Sequence, residues 1–339
     1  MFTYRIRVLM VLAIMLILPI RSVVSAETWR LEQGEDWKAV SGEGEDRYLL
    51  AVAKIKQLVD AGQCEAVGQA VEGLKKEFPD IAGPELDGFI EAEILYCEGK
   101  FTKAARSYDK FLAEFPESGL YEAALERQFS IATAFLAGQK RPVLKVFKMR
   151  GYDQGARIME NIGDRAGDAP IGVKAAVQLA KSYEKRSKFN EAYEQWSLIS
   201  SQWSTGQIGA EALLGMARCK HAAYGGPRYD SSALISAKSY YENYKLRYPE
   251  RAKELNIDER LEQIEEQLAY KQFDIGRYYQ QTGSKQSANF YYQMVIDKWP
   301  GSVAAKMAKK EMSMGESVAA EKEGGVSSFL DLLGGKGKK

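Results

Sequence analysis

One spacing recurs four times in this chain of 339 residues and constrains its fold more than any other feature. An alanine is followed four residues later by Tyr or Trp, and eight residues after that by Pro or Ser. The four occurrences are Ala104, Tyr108 and Pro116; Ala192, Trp196 and Ser204; Ala237, Tyr241 and Pro249; and Ala288, Tyr292 and Pro300. Three of these alanines have a further small residue twelve positions upstream, namely Ala92, Ala180 and Gly276.

This spacing is typical of a helix–turn–helix repeat. Small residues let two helices approach closely, the aromatic side chain fills the space beside that contact, and the closing Pro, which lacks an N–H, ends the second helix. The sequence therefore predicts an all-α fold, a superhelical solenoid of five to six helical hairpins over residues 47–314. Such stacks usually bind other polypeptides.

Apolar residues at helical spacing extend this pattern beyond the four repeats. We expect helices over Leu120–Leu136 and Ile257–Gln281, and a final helix over Ser302–Met312 that caps the stack. The third hairpin is expected to be irregular, because a proline and three glycines interrupt it: Pro142, Gly151, Gly155 and Gly163.

The fifth hairpin carries an insertion from His221 to Asp230, where the other repeats have a turn of two or three residues. At its end, Asp230 and Ser231 are expected to cap the next helix, because short polar side chains satisfy the free N–H groups at a helix start. The glycines of this insertion do not indicate a phosphate-binding loop, since Gly225-Gly226-Pro227 is not followed by the Lys and the Ser or Thr that such loops need.

The N-terminus has the pattern of a secretory signal peptide. Arg5 and Arg7 precede an uncharged apolar run from Val8 to Ile20, and the residues up to Ala26 suit cleavage before Glu27. An uncleaved anchor is the alternative, but the run is several residues shorter than the roughly 20 that cross a bilayer. We therefore expect residues 1–26 to be removed and the protein to be exported. No cysteine lies near the cleavage point as a lipid acceptor, so membrane association is expected to be indirect, through protein contacts.

Two polar segments flank the helical region. Residues 27–46 are predicted to form a flexible lead. Residues 315–339 are rich in Gly, Lys and Glu, which predicts a disordered tail. The apolar cluster Phe329–Leu333 within that tail is open to two interpretations, a linear docking motif or an ordinary, weakly helical tail.

The charge balance argues against a nucleic-acid partner. The chain has 47 Lys and Arg against 46 Asp and Glu, and without Arg5, Arg7 and Arg21 of the leader the count is 44 against 46. A nucleic-acid-binding protein would be expected to cluster positive charge on one face.

Three cysteines in an exported protein raise the question of a disulfide. If two helices meet at a turn near Ile81, Cys64 and Cys97 lie at nearly equal distances from that turn and face one another across the hairpin. Two interpretations of this pair are open: a disulfide, or two small residues buried in the seam between the helices. Cys219 has no evident partner, and we expect it to be a buried thiol.

Catalytic and metal-binding patterns are missing from the sequence. The single histidine, His221, is next to a Gly-rich turn and is expected to cap or pack; one His and three scattered Cys do not assemble a zinc site. No Gly-x-Ser-x-Gly elbow surrounds a serine. Carboxylates such as Glu262, Glu265 and Glu266 are expected on the solvent faces of amphipathic helices. We predict a non-enzymatic protein without a cofactor or metal, and an exported hydrolase is the alternative.

The hairpins resemble tetratricopeptide repeats, and the C-terminal half resembles the BamD family, the helical-repeat components of the machinery that folds β-barrels into the bacterial outer membrane. The resemblance spans roughly Glu85 to Met312. It rests on the following residues: Arg228-Tyr229-Asp230, Ala237, Tyr241, Tyr248-Pro249, Phe273-Asp274-Ile275-Gly276-Arg277-Tyr278-Tyr279, Gly283, Ser287-Ala288, Tyr292, Val295 and Trp299-Pro300-Gly301-Ser302. The chain departs from the family in lacking its lipid-acceptor cysteine and in having Arg228-Tyr229-Asp230 where Arg-Asp-Pro is usual.

The resemblance implies a periplasmic scaffold associated with the outer membrane of a Gram-negative-type envelope. It would bind a barrel-assembly subunit or unfolded barrel substrates along the repeat groove. An envelope repeat protein of the Tol or cell-wall remodelling type is the competing hypothesis. Arg228, Arg277 and Tyr278 are our candidates for exposed partner contacts, because the small residues of the repeat are expected to be buried.

Overall fold

The computed structural model describes residues 29–31, 37–39, 46–79, 83–142 and 148–314. Within these residues most of the chain is helical, and successive helices pack in pairs. The predicted fold class, an all-α solenoid of helical hairpins, is confirmed. The sequence indicates one repeat domain over residues 47–314, whereas the structure divides into two compact units, Met1–Ala124 and Leu125–Lys339. The signal peptide, its cleavage site at Ala26 and Glu27, and the tail 315–339 lie outside the described residues.

The first unit contains two helical hairpins and a short β-ladder. In the segment predicted as a flexible lead, strands β1 and β2 pair antiparallel, with Leu31 opposite Trp37. Helix α1 packs on α2, α3 packs on α4, and α3 also contacts both helices of the first hairpin. The bounds are β1 Trp29–Leu31, β2 Trp37–Ala39, α1 Asp46–Asp60, α2 Cys64–Glu77, α3 Pro84–Cys97 and α4 Phe101–Glu114.

The third hairpin is irregular because two short antiparallel strands lie between its helices. Glycines let the chain return close to the preceding helix: a Cβ at Gly151 would lie 2.3 Å from Cδ1 of Phe135, and one at Gly155 would lie 2.9 Å from the carbonyl oxygen of Ala132. Larger residues there would force the two helices apart. The elements are α5 Tyr121–Leu136, β3 Lys140–Pro142, β4 Lys148–Arg150 and α6 Tyr152–Ala166, and the boundary between the units falls inside α5.

The remaining helices of the second unit follow the repeat pattern. Each helix from α6 to α10 packs on the next, α10 packs on α12, and α12 packs on α13. The bounds are α7 Pro170–Lys185, α8 Phe189–Gln202, α9 Gly206–Ala222, α10 Ser232–Arg247, α11 Pro249–Glu254, α12 Ile257–Gln281, α13 Lys285–Lys298 and α14 over residues 303–314. Three clusters of buried side chains form the core of these helices, one around α7 to α9, one around α9 to α12 and one around α12 to α14.

The helix ends follow from the repeat. Helices α4, α10 and α13 each end two residues before the repeat proline, at Glu114, Arg247 and Lys298. A proline two residues on cannot donate the next helical hydrogen bond, so the helix stops there. Pro249 also begins the short helix α11, because its fixed φ suits the first helical position.

Cys64 and Cys97 form a disulfide in the structure. Cys64 is the first residue of α2 and Cys97 the last residue of α3, and their Cα atoms are 5.7 Å apart. The bridge thus joins the start of α2 to the end of α3. Cys219 is buried on α9, and burial raises the pKa of its thiol to about 12.

Candidate functional site

The recurring spacing of the sequence marks positions that lie inside the hairpins. Each predicted packing residue is buried, with an exposed fraction of 3% or less where one is measured. Such positions hold the helices together and are closed to a partner. They are Ala92, Ala104, Tyr108, Ala180, Ala192, Trp196, Ala237, Tyr241, Gly276, Ala288 and Tyr292.

The polar atoms of the buried aromatics bind the facing helix. The hydroxyl of Tyr108 donates to Oε1 of Glu93 at 2.6 Å. The indole N–H of Trp196 donates to the carboxylate of Glu184, which also accepts two hydrogen bonds from Arg218 at 3.0 and 2.8 Å. A buried donor left without a partner would cost about 1–3 kcal/mol, so these contacts are structural.

His221 lies in a cleft of about 530 Å³ between α9 and α12. Its ring packs edge-on against Tyr241, with centroids 6.2 Å apart, and its Nε2 is 3.0 Å from Oε1 of Gln267. Burial lowers the pKa of His221, and Arg260, which lines the same cleft, lowers it further. The imidazole therefore holds α9 against α12 in its neutral form.

The three candidate partner residues line one cavity of about 580 Å³. The cavity lies between the loop 223–231, which contains most of the insertion of the fifth hairpin, and the C-terminal part of α12. Arg228 comes from the loop, and Arg277 and Tyr278 come from α12. We call this the basic cavity. Residues that are 49 or more positions apart in the sequence thus meet on one surface.

The loop is held in place from both sides. The ammonium group of Lys271 donates to the carbonyl oxygens of Pro227 and Tyr229 at 3.0 and 2.5 Å. Asp230 accepts a hydrogen bond of 2.9 Å from the N–H of Ser232, the first residue of α10, whereas the N-cap residue Ser231 makes no capping hydrogen bond with its side chain. Gly226 has φ +111°, a conformation that residues with a side chain rarely adopt. Arg228 is therefore presented by an ordered loop.

The charge of the basic cavity is positive. Arg228, Lys271 and Arg277 line it with one carboxylate, that of Asp274, which is paired with Arg277. The guanidinium of Arg228 has no hydrogen bond or ion pair with any residue in the described ranges. Tyr278 leaves 60% of its surface exposed. The cavity can thus offer a free guanidinium beside an exposed ring.

Sequence reasoning missed Lys271 and Asp274 as members of this site. On α12, Lys271 lies three residues before Asp274 and seven residues before Tyr278. Residues at i, i+3 and i+7 share one helix face. This spacing could have placed them beside Tyr278, but only the fold shows that the loop closes over them.

The expectation that Glu265 and Glu266 lie on a solvent face is wrong. Glu266 accepts hydrogen bonds of 2.9 Å from the N–H groups of Val303 and Ala304, the first residues of α14. Glu265 accepts one of 2.6 Å from the indole N–H of Trp299 and pairs with Lys238. Burial opposes ionisation of Glu265, but these hydrogen bonds prevail and lower its pKa. The free N–H groups at the start of α14 need acceptors, and the two oxygens of the Glu266 carboxylate supply them.

The described residues offer no metal-binding group. Within them, no cluster of three or more His, Cys, Asp or Glu side chains could hold an ion. None of the described helices combines the length and the apolar character needed to cross a bilayer.

Comparison with known proteins gives similarities of fold at low identity. No protein-family model and no curated protein matches the chain. The C-terminal part of a TPR repeat-containing protein from Cytophaga hutchinsonii is 14% identical, with 77% of this chain and 87% of that chain covered and a TM-score of 0.38. The type IV pilus biogenesis factor PilW is 16% identical, with 78% and 99% covered and a TM-score of 0.30. A tetratricopeptide repeat protein from Parabacteroides merdae is 12% identical, with 78% and 98% covered and a TM-score of 0.31.

Proposed function

We propose that the protein is a non-enzymatic scaffold of the bacterial periplasm that binds protein partners in the assembly of outer-membrane β-barrels, in the manner of the BamD family. The observation that carries this proposal is the basic cavity, in which Arg228, Arg277 and Tyr278 meet on the surface of the hairpins that resemble that family. The signal-like N-terminus supports export.

The chemistry of the cavity favours a polypeptide partner over a reaction. Arginine and tyrosine contribute most of the binding energy at many protein interfaces, since they combine a large contact area with directed hydrogen bonds. The cavity lies on the outside of a fold whose core clusters are closed by apolar and aromatic side chains. The fold would therefore hold the binding surface rigid for a polypeptide partner.

Affinity purification of the tagged protein from detergent-solubilised envelopes, followed by mass spectrometry, tests the proposal. Recovery of an outer-membrane barrel-assembly subunit at comparable abundance is the expected result. Recovery of septal, Tol-associated or peptidoglycan-remodelling proteins in its place would refute a role in barrel assembly. A protein variant with Arg228→Glu serves as a comparison, and Arg251→Glu, an exposed arginine on α11 outside the cavity, is its matched control.

A further inference from the structure

Four aromatic rings form a continuous row across the last full hairpin. Tyr278 contacts Tyr279 edge-on at 5.6 Å between centroids, and Tyr279 stacks on Tyr291 at 5.6 Å with an interplanar angle of 12°. Tyr291 in turn contacts Phe290 edge-on at 5.5 Å. Two of the rings belong to the end of α12 and two to the middle of α13. We call these four residues the aromatic row.

Both ends of the aromatic row are open to solvent. Tyr278 is 60% exposed and Phe290 is 62% exposed, whereas Tyr279 and Tyr291 are half-buried by their mutual stacking. A row of large rings fixed by ring contacts has little side-chain entropy left to lose on binding. Contiguous exposed apolar surface of this kind usually marks an interaction site.

The aromatic row leads directly into the basic cavity. Tyr278 and Tyr279 belong to both, and the cavity's three cations exceed its one carboxylate by two charges. The free guanidinium of Arg228 lies in the cavity wall, while the pairing of Arg277 with Asp274 fixes the side next to Tyr278. The complementary ligand therefore has an aromatic group at one end and carboxylates at the other.

We propose that the aromatic row and the basic cavity together bind an extended polypeptide segment in which aromatic side chains are followed by acidic residues. The aromatic side chains of the segment pack on the row, between Phe290 and Tyr278, and a carboxylate reaches Arg228. This inference rests on the proposed scaffold function, to which it adds the chemistry of the partner.

A polypeptide suits this surface better than a nucleic acid does. Binding of a single strand needs a groove with many cations along the phosphates and open ring faces for the bases. Here the excess is two positive charges, and the central rings, Tyr279 and Tyr291, stack on each other. A single-stranded oligonucleotide is therefore included in the test as a competing ligand.

Fluorescence anisotropy with the full-length mature protein tests the inference. The probe is a fluorescein-labelled octapeptide, Ser-Phe-Gly-Tyr-Asp-Asp-Glu-Ser, at low ionic strength. One control peptide has alanine in place of both aromatics, and a second has lysine in place of the three acids. We expect the probe to bind, both controls to bind at least about fivefold more weakly, and added salt to weaken the binding of the probe.

Matched variants assign the binding to this surface. Arg228→Glu and the pair Tyr278→Ala with Phe290→Ala should each weaken binding of the probe by about fivefold or more. Arg251→Glu and Leu246→Ala, the latter at a side chain that is 82% exposed on α10, should leave it unchanged. Circular dichroism and thermal unfolding establish that each variant is folded. Because the altered side chains are exposed, all four proteins should unfold near the wild-type temperature.

Three outcomes would overturn the inference: binding unaffected by Arg228→Glu, equal binding of the lysine peptide, or binding of a single-stranded oligoadenylate in place of the probe. The proposed function can fail independently. If barrel-assembly proteins co-purify with the Arg228→Glu variant as well as with the wild type, the scaffold role stands and this surface is excluded. If the probe binds as expected but no barrel-assembly protein is recovered, the surface stands and the assembly role is excluded.

Discussion

Gly276 offers the sharpest test of how the last hairpin is packed. A Cβ at this position would lie 2.7 and 2.8 Å from Cε1 and Cδ1 of Tyr292 and 3.3 Å from the carbonyl oxygen of Ala288. Tyr292 has no room to withdraw, because it is 1% exposed, contacts Phe273 at 5.5 Å between ring centroids, and donates a hydrogen bond to Gln280. Gly276→Ala should therefore strain the contact between α12 and α13.

The free-energy cost of this steric strain can be separated from the gain in helix propensity by comparison with a second glycine. Gly163 lies inside α6, and a Cβ there would meet no atom within 4 Å. Gly163→Ala should stabilise the protein by about 0.5–1 kcal/mol, because alanine loses less backbone entropy in a helix. Gly276→Ala has the same gain but adds an overpacking cost of about 1–3 kcal/mol. The difference between the two variants is thus the steric cost alone.

Urea unfolding followed by circular dichroism measures this difference. We expect Gly163→Ala to unfold at a higher urea concentration than the wild type, and Gly276→Ala at a lower one than Gly163→Ala by the equivalent of about 1–3 kcal/mol. Tyr292→Leu should cost less in the Gly276→Ala background than in the wild type, since it removes the clashing ring. Equal stability of the two alanine variants would refute the close contact described here.

Three further predictions concern the cysteines and the histidine. Reduction of the Cys64–Cys97 disulfide, which spans a sequence separation of 33, should lower the free energy of unfolding by about 4 kcal/mol on chain-entropy grounds; an unfolding midpoint unmoved by reductant would contradict this. Cys219 should resist a thiol reagent at pH 8 until the protein is denatured, because burial raises its pKa to about 12; rapid labelling of the native protein would show that it is accessible. His221 has a folded-state pKa below that of the unfolded chain, so the unfolded state binds the extra proton and stability should fall as pH drops below about 6.5. His221→Gln should reduce that loss, and parallel stability profiles of the two proteins would exclude the effect.

Much of the hairpin architecture could be predicted from the sequence because it depends on local periodicity. The helix over Ile257–Gln281 has the predicted bounds, and the helix predicted over Leu120–Leu136 begins one residue later. The repeat prolines mark the helix ends, since a missing N–H acts within one turn of the chain. The irregular third hairpin was also foreseen from its glycines, although not the β-ladder that it contains.

The candidate site could be predicted only in part. Arg228, Arg277 and Tyr278 were candidates from the sequence, but nothing in their spacing shows that they line one cavity. Lys271 joins them because it donates to the carbonyl oxygens of a loop more than 40 residues earlier. Contacts over such separations depend on how the helices pack, and local patterns do not encode that.

By itself the sequence determined the local structure of this protein: which segments are helices, where they end, which small and aromatic residues form the seams, and that Cys64 and Cys97 face each other across two successive helices. These follow from backbone hydrogen bonding and from apolar periodicity, which act over a few residues. Only the tertiary structure decided that Glu266 caps a later helix, that the insertion closes over α12, and that four rings align beside the basic cavity. Each of these depends on side chains from distant segments that meet after the hairpins have packed.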